Sequence, residues 1–476
     1  MANFQGQGME PGAGSESHLT SQRRHLMSSI EALIVGIVLL ATAIAFQMGG
    51  NLRSAVARSP GAAATSILPS VPTTAPGGGA PASAHMGLTA SGASTSARTF
   101  SYGYDLATAM STGVNPAAAQ RAAQVAKTMP ASFQVVPIMG WGQGNPEISP
   151  GVFDFSQIAK QLTFVQASGA TPVITLCGAP DWMKGLTAGT TDWTQLGLPP
   201  IASHYQDFAA LSAAVAKAFP QVKYFVVWSE LRGFWSPAFG GWDAGSYTSL
   251  YNDVYLAVKS ARPDALVGGP YVSVGSGPGP APARFPTPSG PWGHLQVTSL
   301  SAISYWLKNN VGADFVAVDG KAFTANFGLV TDPVTSTGKY AAVDQWLVSQ
   351  TALPIVWMES HVVPDPTIVS QQQQAAIRIA ALLQMASSGA SLGMQWNPTQ
   401  DPTWDEGIWN DVTLPSGGQP TVLAQVLPAV LNVLAAPVVL VPSSPPGTLI
   451  ANGVKGTVTV TYSASAASVT VTGPAH

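Results

Sequence analysis

Eight short runs of strand-forming residues, each followed by an amphipathic helical pattern, recur between residues 99 and 435, and this alternation limits the folds open to the chain. The runs are TFSYGYD (99–105), SFQVVPIMG (132–140), ATPVITLC (170–177), KYFVVW (223–228), ALVGGP (265–270), DFVAVD (314–319), LPIVWM (353–358) and ASLGMQW (390–396). Helical periodicity covers 116–129, 156–168, 204–219, 246–261, 298–310, 338–350, 370–388 and 420–435. Ser156 and Ser370 are the expected N-caps of two of these, and Gly169, Pro220, Pro263 and Gly389 are expected stops. Strands that alternate with helices pair in parallel, and eight such units predict an α/β chain closed into a (β/α)8 TIM barrel rather than an open doubly wound sheet. No GxGxxG or GxxxxGK[ST] follows the early strands, which speaks against dinucleotide and P-loop sites.

The flanks read differently. Ala32 to Met48 (ALIVGIVLLATAIAFQM) carries no charge and follows Arg23, Arg24 and Glu31, which predicts a transmembrane signal anchor at the lower limit of spanning length, with 1–31 as a cytoplasmic tail. QRRHLM resembles a twin-arginine signal and ATAIA offers small residues for cleavage, so a cleaved, secreted form is the alternative. Either form exports the remainder. Residues 49–98 are rich in Ala, Pro, Gly and Ser and predict a disordered linker. Beyond the barrel (99–436), the stretches VVLV, GTVTVTY and SVTVTG in 437–476 predict a small C-terminal β-appendage, too short to hold a core alone.

Only 9% of residues are charged, the formal net charge is −3 and no Lys/Arg run occurs, so no nucleic-acid partner is expected. The single cysteine, Cys177, lies in the apolar run TPVITLC, which excludes an intramolecular disulfide and predicts a buried, inert thiol. The seven histidines lack HExxH-type spacing, and neither a metal nor another cofactor is expected.

Glutamate is scarce, and this makes its placement informative. Beyond residue 98 only Glu147, Glu230, Glu359 and Glu406 occur. Glu147 and Glu406 sit in loop-like GNPEISPG and DPTWDEG. Glu230 and Glu359 instead follow the apolar strand cores FVVWSE and PIVWME, at the ends of the fourth and seventh strands. In a (β/α)8 barrel those ends face one mouth, so carboxylates 129 residues apart in sequence converge there. Two carboxyl groups flanking a sugar are what glycoside hydrolysis requires, one as acid and the other as nucleophile or base.

The segment VVWSELRGFW resembles the W-N-E-P-N…F-W motif of clan A glycoside hydrolases, most closely family 39. GVFDFSQIAKQLTFVQASGATPVITLCGAPDWM is similar to that family's second helix and third strand, LPIVWMES to its nucleophile strand, and GMQWNP to its eighth strand. The resemblance runs from about Phe100 to Asn397. It implies a retaining mechanism with Glu230 as acid/base and Glu359 as nucleophile, and Trp396 as a platform for a sugar face. Two departures stand out. Ser229 replaces the Asn before the acid/base, with Leu231 in place of the following Pro, and the sixth strand reads VAVDGKAF, so Asp319 or Lys321 takes the place of the usual His or Tyr.

The further candidate substrate-binding residues are Trp141, Asp181, Trp182, Trp228, Ser229, Trp235, Tyr271 and His361, each at a predicted strand end or in the loop beyond it; Phe234 and Trp242 lie in such a loop as well. The expected function is retaining hydrolysis of an extracellular or cell-surface polysaccharide or oligosaccharide by a membrane-anchored enzyme, with the Glu230 pKa raised by apolar neighbours and by Glu359. The alternatives are a non-catalytic carbohydrate-binding barrel in exopolysaccharide assembly, and a transglycosylase.

Overall fold

The computed structural model describes residues 99–105, 114–129, 132–238, 240–323, 332–362, 369–400, 407–442 and 445–474, all within one compact unit. The expected tail, anchor (32–48) and linker, together with Glu406, lie outside the described residues. Among the described residues no helix is long and apolar enough to cross a membrane.

Eight parallel strands form a closed barrel: β1 (Ser101–Asp105), β2 (Phe133–Pro137), β3 (Thr171–Leu176), β4 (Tyr224–Val227), β5 (Leu266–Val274), β6 (Phe315–Lys321), β7 (Ile355–His361) and β8 (Ala390–Gln395). Their order around the ring is sequential, with β8 pairing β1. Eight helices surround them: α1 (Pro116–Ala126), α2 (Ser156–Ser168), α3 (Tyr205–Ala218), α4 (Ala244–Ala261), α5 (Val297–Asn309), α6 (Gly338–Gln350), α7 (Gln371–Ser388) and α8 (Val422–Leu434). The expected barrel is therefore present.

Strands buried on both faces explain the unbroken apolar runs. One face fills the barrel with Val135, Val173, Val226, Phe315, Ala317, Val356, Met358, Leu392 and Met394. The other packs beneath the helices, where Phe208, Leu211 and Val215 of α3 are buried. The interior is tight: a Cβ on Gly268 of β5 would meet the Phe315 ring at 2.3 Å.

Helix ends follow local chemistry. Ser370 forms a full capping box with Gln373, and Gly169 and Gly389 close α2 and α7 in the left-handed conformation. Ser156 is not a cap but the first residue of α2; Asp154 accepts its backbone N–H at 2.9 Å, because the aspartate two residues upstream reaches that amide first.

A four-stranded antiparallel sheet follows α8, made of β9 (Val438–Leu440), β10 (Thr448–Gly453), β11 (Gly456–Tyr462) and β12 (Ala467–Thr472). It covers the outer side of α7, whose Gln373 donates to the Ser463 carbonyl at 3.0 Å. Covered on both sides, α7 is buried from Gln373 to Met385.

Candidate active site

Five non-glycine residues have positive φ among the described residues: Trp141 (46°), Trp228 (69°), Glu230 (51°), Leu231 (52°) and Tyr271 (52°). All five lie at or beyond the C-terminal halves of β2, β4 and β5, so the costly backbone is concentrated at one end of the barrel. Two register shifts add to it. Between β5 and β6 the pairing passes from Pro270–Ala317 to Val272–Val318, which leaves Tyr271 as an extra residue. Between β6 and β7 it passes from Val318–Trp357 to Asp319–Glu359, which leaves Met358 extra. A bulge reverses the alternation of side chains beyond it. Val356 and Met358 both face the barrel interior, and the bulge lets Glu359 point inward as well.

The consequence is a cluster of three carboxylates. One oxygen each of Glu230, Asp319 and Glu359 lie within 4.8 Å of one another. The Tyr271 hydroxyl donates to Glu359 Oε1, and His361 Nε2 lies 3.5 Å from Glu359 Oε2. His361 in turn stacks on Trp396, with ring centroids 6.4 Å apart. Arg232 donates from Nε to Glu230 Oε2 at 2.8 Å and from Nη2 to the same oxygen, while its guanidinium lies 4.9 Å from the Trp141 ring centroid. Asp319 is 1% exposed and no N–H or hydroxyl donor reaches its oxygens; its hydrogen-bonding neighbour is the Glu230 carboxyl, which requires a proton between the two.

Glu359 is braced from behind. Two residues earlier, Trp357 donates to buried Asp344 of α6 at 2.8 Å; one residue later, Arg378 of α7 donates to the Ser360 hydroxyl at 2.7 Å and the Ser360 carbonyl at 2.9 Å. Buried donors and acceptors satisfied in this way fix the strand.

The electrostatics distribute protons unevenly. Burial, and then the charge of Glu230, push Glu359 up to about 8, against the stabilising Tyr271 hydroxyl. Asp319 is driven well above the ordinary carboxylate range by burial and by the charges of Glu230 and Glu359. Burial favours neutral Glu230 too, but the Asp319 carboxyl and the Arg232 guanidinium more than offset it and hold Glu230 below its ordinary range. This overturns the expectation of a raised Glu230: the Asp319 carboxyl and the Arg232 guanidinium outweigh the apolar neighbours. Burial pushes Lys339 down to about 7, against the opposing charge of Asp319.

Two spaces adjoin the cluster. A groove of about 680 Å³ is lined by Glu230, Arg232, Trp235, Trp242, Gln195 and Gln296, among others. A pocket of about 10 Å³, the room of one water, is bounded by Asp105, Trp141, Ser229, Tyr271, Glu359 and Trp396.

The structure thus brings Glu230, Glu359, Trp141, Ser229, Trp235, Tyr271, His361 and Trp396 to one mouth. Three expected contacts are elsewhere. Trp228 is fully buried, donates to the Arg232 carbonyl at 2.8 Å and packs edge-on against Phe208 and Phe234; its positive φ turns the ring into the core. Asp181 accepts the Asp192 N–H at 2.6 Å and lies 3.5 Å from Lys184, and Trp182 donates to the Glu147 carbonyl at 3.0 Å. Both serve the loop after β3, and neither lines the groove or the pocket. Glu147, expected in a loop, opens a short antiparallel hairpin, Glu147–Ser149 against Val152–Phe153, and accepts the Gly151 N–H at 2.8 Å. Sequence reasoning missed Asp105 and Arg232. Asp105 closes TFSYGYD as Glu230 closes FVVWSE, so extending the strand-end criterion to aspartate would have found it.

No protein-family model and no curated protein matches the chain. Solved structures do. A GH39 beta-xylosidase from Caulobacter crescentus is 16% identical, with 77% of each chain covered and a TM-score of 0.49. The GH39 enzyme from Xanthomonas axonopodis pv. citri is also 16% identical, covering 76% of this chain and 71% of that one at a TM-score of 0.49. A beta-glucosidase is 13% identical, covering 70% and 98% at 0.48. These scores fall below 0.5, so the fold stands on its own strand order and the site on its own geometry.

Proposed function

We propose that the protein is a retaining glycoside hydrolase acting on a polysaccharide or oligosaccharide, with Glu359 as nucleophile and Glu230 as acid/base. The observation that carries this reading is the approach of the Glu230 and Glu359 oxygens to within 4.8 Å at an aromatic-walled barrel mouth. Retaining enzymes hold their carboxyl groups about 5 to 5.5 Å apart, whereas inverting ones leave roughly 6.5 to 9.5 Å for a water. Glu359 attacks the anomeric carbon as Glu230 protonates the leaving oxygen; Glu230 then takes a proton from the water that releases the sugar. Tyr271 steadies the nucleophile, and Trp235, exposed in the groove of about 680 Å³, offers a face for a pyranose. The reading places the site outside the cytoplasm, tethered through residues 32–48 or secreted after cleavage there.

The test is turnover of 4-nitrophenyl xylosides, glucosides, mannosides and galactosides and of candidate polysaccharides by the full-length protein. Product release with retained anomeric configuration, abolished in Glu359→Gln and strongly reduced in Glu230→Gln, is the expected result. Unchanged cleavage in either variant removes the assignment. One observation favours a non-catalytic sugar-binding barrel instead: Glu230 is tied to Arg232, with Ser229 beside it. Sugar binding without turnover of any substrate would establish that second reading.

A further inference from the structure

Under the proposed function Glu230 must carry a proton, yet it rests in an ion pair. Arg232 places both Nε and Nη2 on one Glu230 oxygen, and a guanidinium so placed favours the carboxylate over the acid. Burial instead favours the neutral acid at Glu359 and Asp319, the reverse of what the first step needs. A substrate group that draws Arg232 away would enlarge the share of protein with Glu230 protonated.

The two sides of the cluster differ in what they tolerate. The pocket beside Glu359 carries Asp105, with buried Asp319 close by, and has the volume of one water. An anionic substituent there meets carboxylates. The groove on the other side of Glu230 is large enough for sugar units, and Arg232 is its only cation among the described lining residues. Its remaining polar walls, Thr194, Gln195, Ser273 and Gln296, are neutral hydrogen-bonding groups suited to hydroxyls. The Arg232 side chain is 33% exposed and lies over Trp141, so its fork can turn toward the groove while the ring still supports it. A neutral hydroxyl does not compete with a carboxylate for a guanidinium; a second carboxylate does, with matching bidentate geometry.

We propose that the groove beyond Glu230 takes a uronate, a sugar unit bearing a carboxylate, as the leaving group, and that its anion draws Arg232 off Glu230 and frees Glu230 to carry the proton it donates. The substrate is then an acidic polysaccharide cleaved on the non-reducing side of a uronate. Asp319, whose carboxyl meets those of both Glu230 and Glu359, is positioned to relay the proton: it hands its own to Glu230 and takes that of Glu359, which leaves Glu230 protonated, Glu359 ionised and Asp319 neutral as before. This rests on the hydrolase reading above and adds the leaving-group class to it.

The test compares kcat/KM of the full-length protein for xylosyl-, glucosyl-, mannosyl- and galactosyl-β-1,4-glucuronic acid with that for their methyl esters, which keep the shape and remove the charge. The acid is expected to be cleaved at least about tenfold faster than the ester, with the ratio falling to about one in Arg232→Gln and partly kept in Arg232→Lys. Because each ratio is internal to one variant, a loss of folded protein does not change it. Equal cleavage of acid and ester by the unmodified protein overturns the uronate subsite and leaves the hydrolase reading intact. Absence of turnover for every donor removes the hydrolase reading, and calorimetric binding of the same pairs then decides the subsite. Tighter binding of acid than ester, lost in Arg232→Gln, supports it; equal binding overturns it.

Discussion

Replacing Tyr271 by Phe removes one hydroxyl and keeps the ring that fills the barrel top. That hydroxyl donates to Glu359 Oε1 and stabilises the carboxylate form of a residue otherwise pushed up to about 8 by burial and by Glu230. A hydrogen bond to a charged group contributes about 1.5 to 3 kcal/mol, and each pKa unit corresponds to about 1.4 kcal/mol, so its loss raises Glu359 by about one to two further units. In the proposed mechanism the reacting form has Glu230 protonated and Glu359 ionised. Since Glu359 holds its proton more tightly than Glu230, this form is a minor one, and its share stays constant between the two titrations. The upper limb of the kcat/KM profile of the unmodified protein therefore falls near pH 8. In Tyr271→Phe that limb moves up by about one to two pH units while the plateau drops about 10- to 100-fold, the two changes being one quantity seen twice. The assay is a pH profile from 5 to 10 on a chosen aryl glycoside, within the range where both proteins refold reversibly. A drop in rate with an unmoved limb would refute the reasoning, since Tyr271 would then contact substrate without governing the nucleophile's proton; a downward shift would refute it outright.

Glu359→Gln should stabilise the protein above pH 5. The folded value of about 8 exceeds the ordinary 4.5, so the stability linked to neutral Glu359 is fully present below about 4.5 and is lost as pH rises to about 8. The glutamine removes that loss, on the order of a few kcal/mol, and melting temperatures of the two proteins measured from pH 4 to 8 should diverge with rising pH. Trp228→Ala should cost about 3 to 5 kcal/mol in denaturant unfolding, because the ring is fully buried, whereas Trp235→Ala, half exposed in the groove, should change stability by no more than about 0.5 kcal/mol and raise KM. Cys177, buried and pushed up to about 12 chiefly by burial, should react with a thiol reagent at pH 8 only after unfolding; a native-state reaction would contradict its packing.

The ring of strands was legible because most strands are apolar on both faces and every surrounding helix except α7 has one wet side, so the two periods alternate. Glu230 and Glu359 were legible for the same reason: a charge at the end of such a run has nowhere to go but the mouth. What single-residue reading lost were the consequences of backbone turns. Trp228 and Ser229 are neighbours, but positive φ at Trp228 sends its indole to Phe208 and Phe234 while Ser229 lines the pocket, so placement past a strand does not decide which side chain meets substrate. Met358 and Tyr271 are extra residues in their ladders, and strict alternation would have turned Glu359 out toward the helices. Pairwise charge was lost as well. Arg232 stands two residues from Glu230, a separation that brings side chains together in neither a strand nor a helix, and only the left-handed turn through Glu230 and Leu231 folds it back. The same turn that presents the acid therefore delivers the cation that silences it. A substrate that separates the two enlarges the reactive form, which makes the partner of Arg232 in the bound state a point at which specificity and catalysis meet.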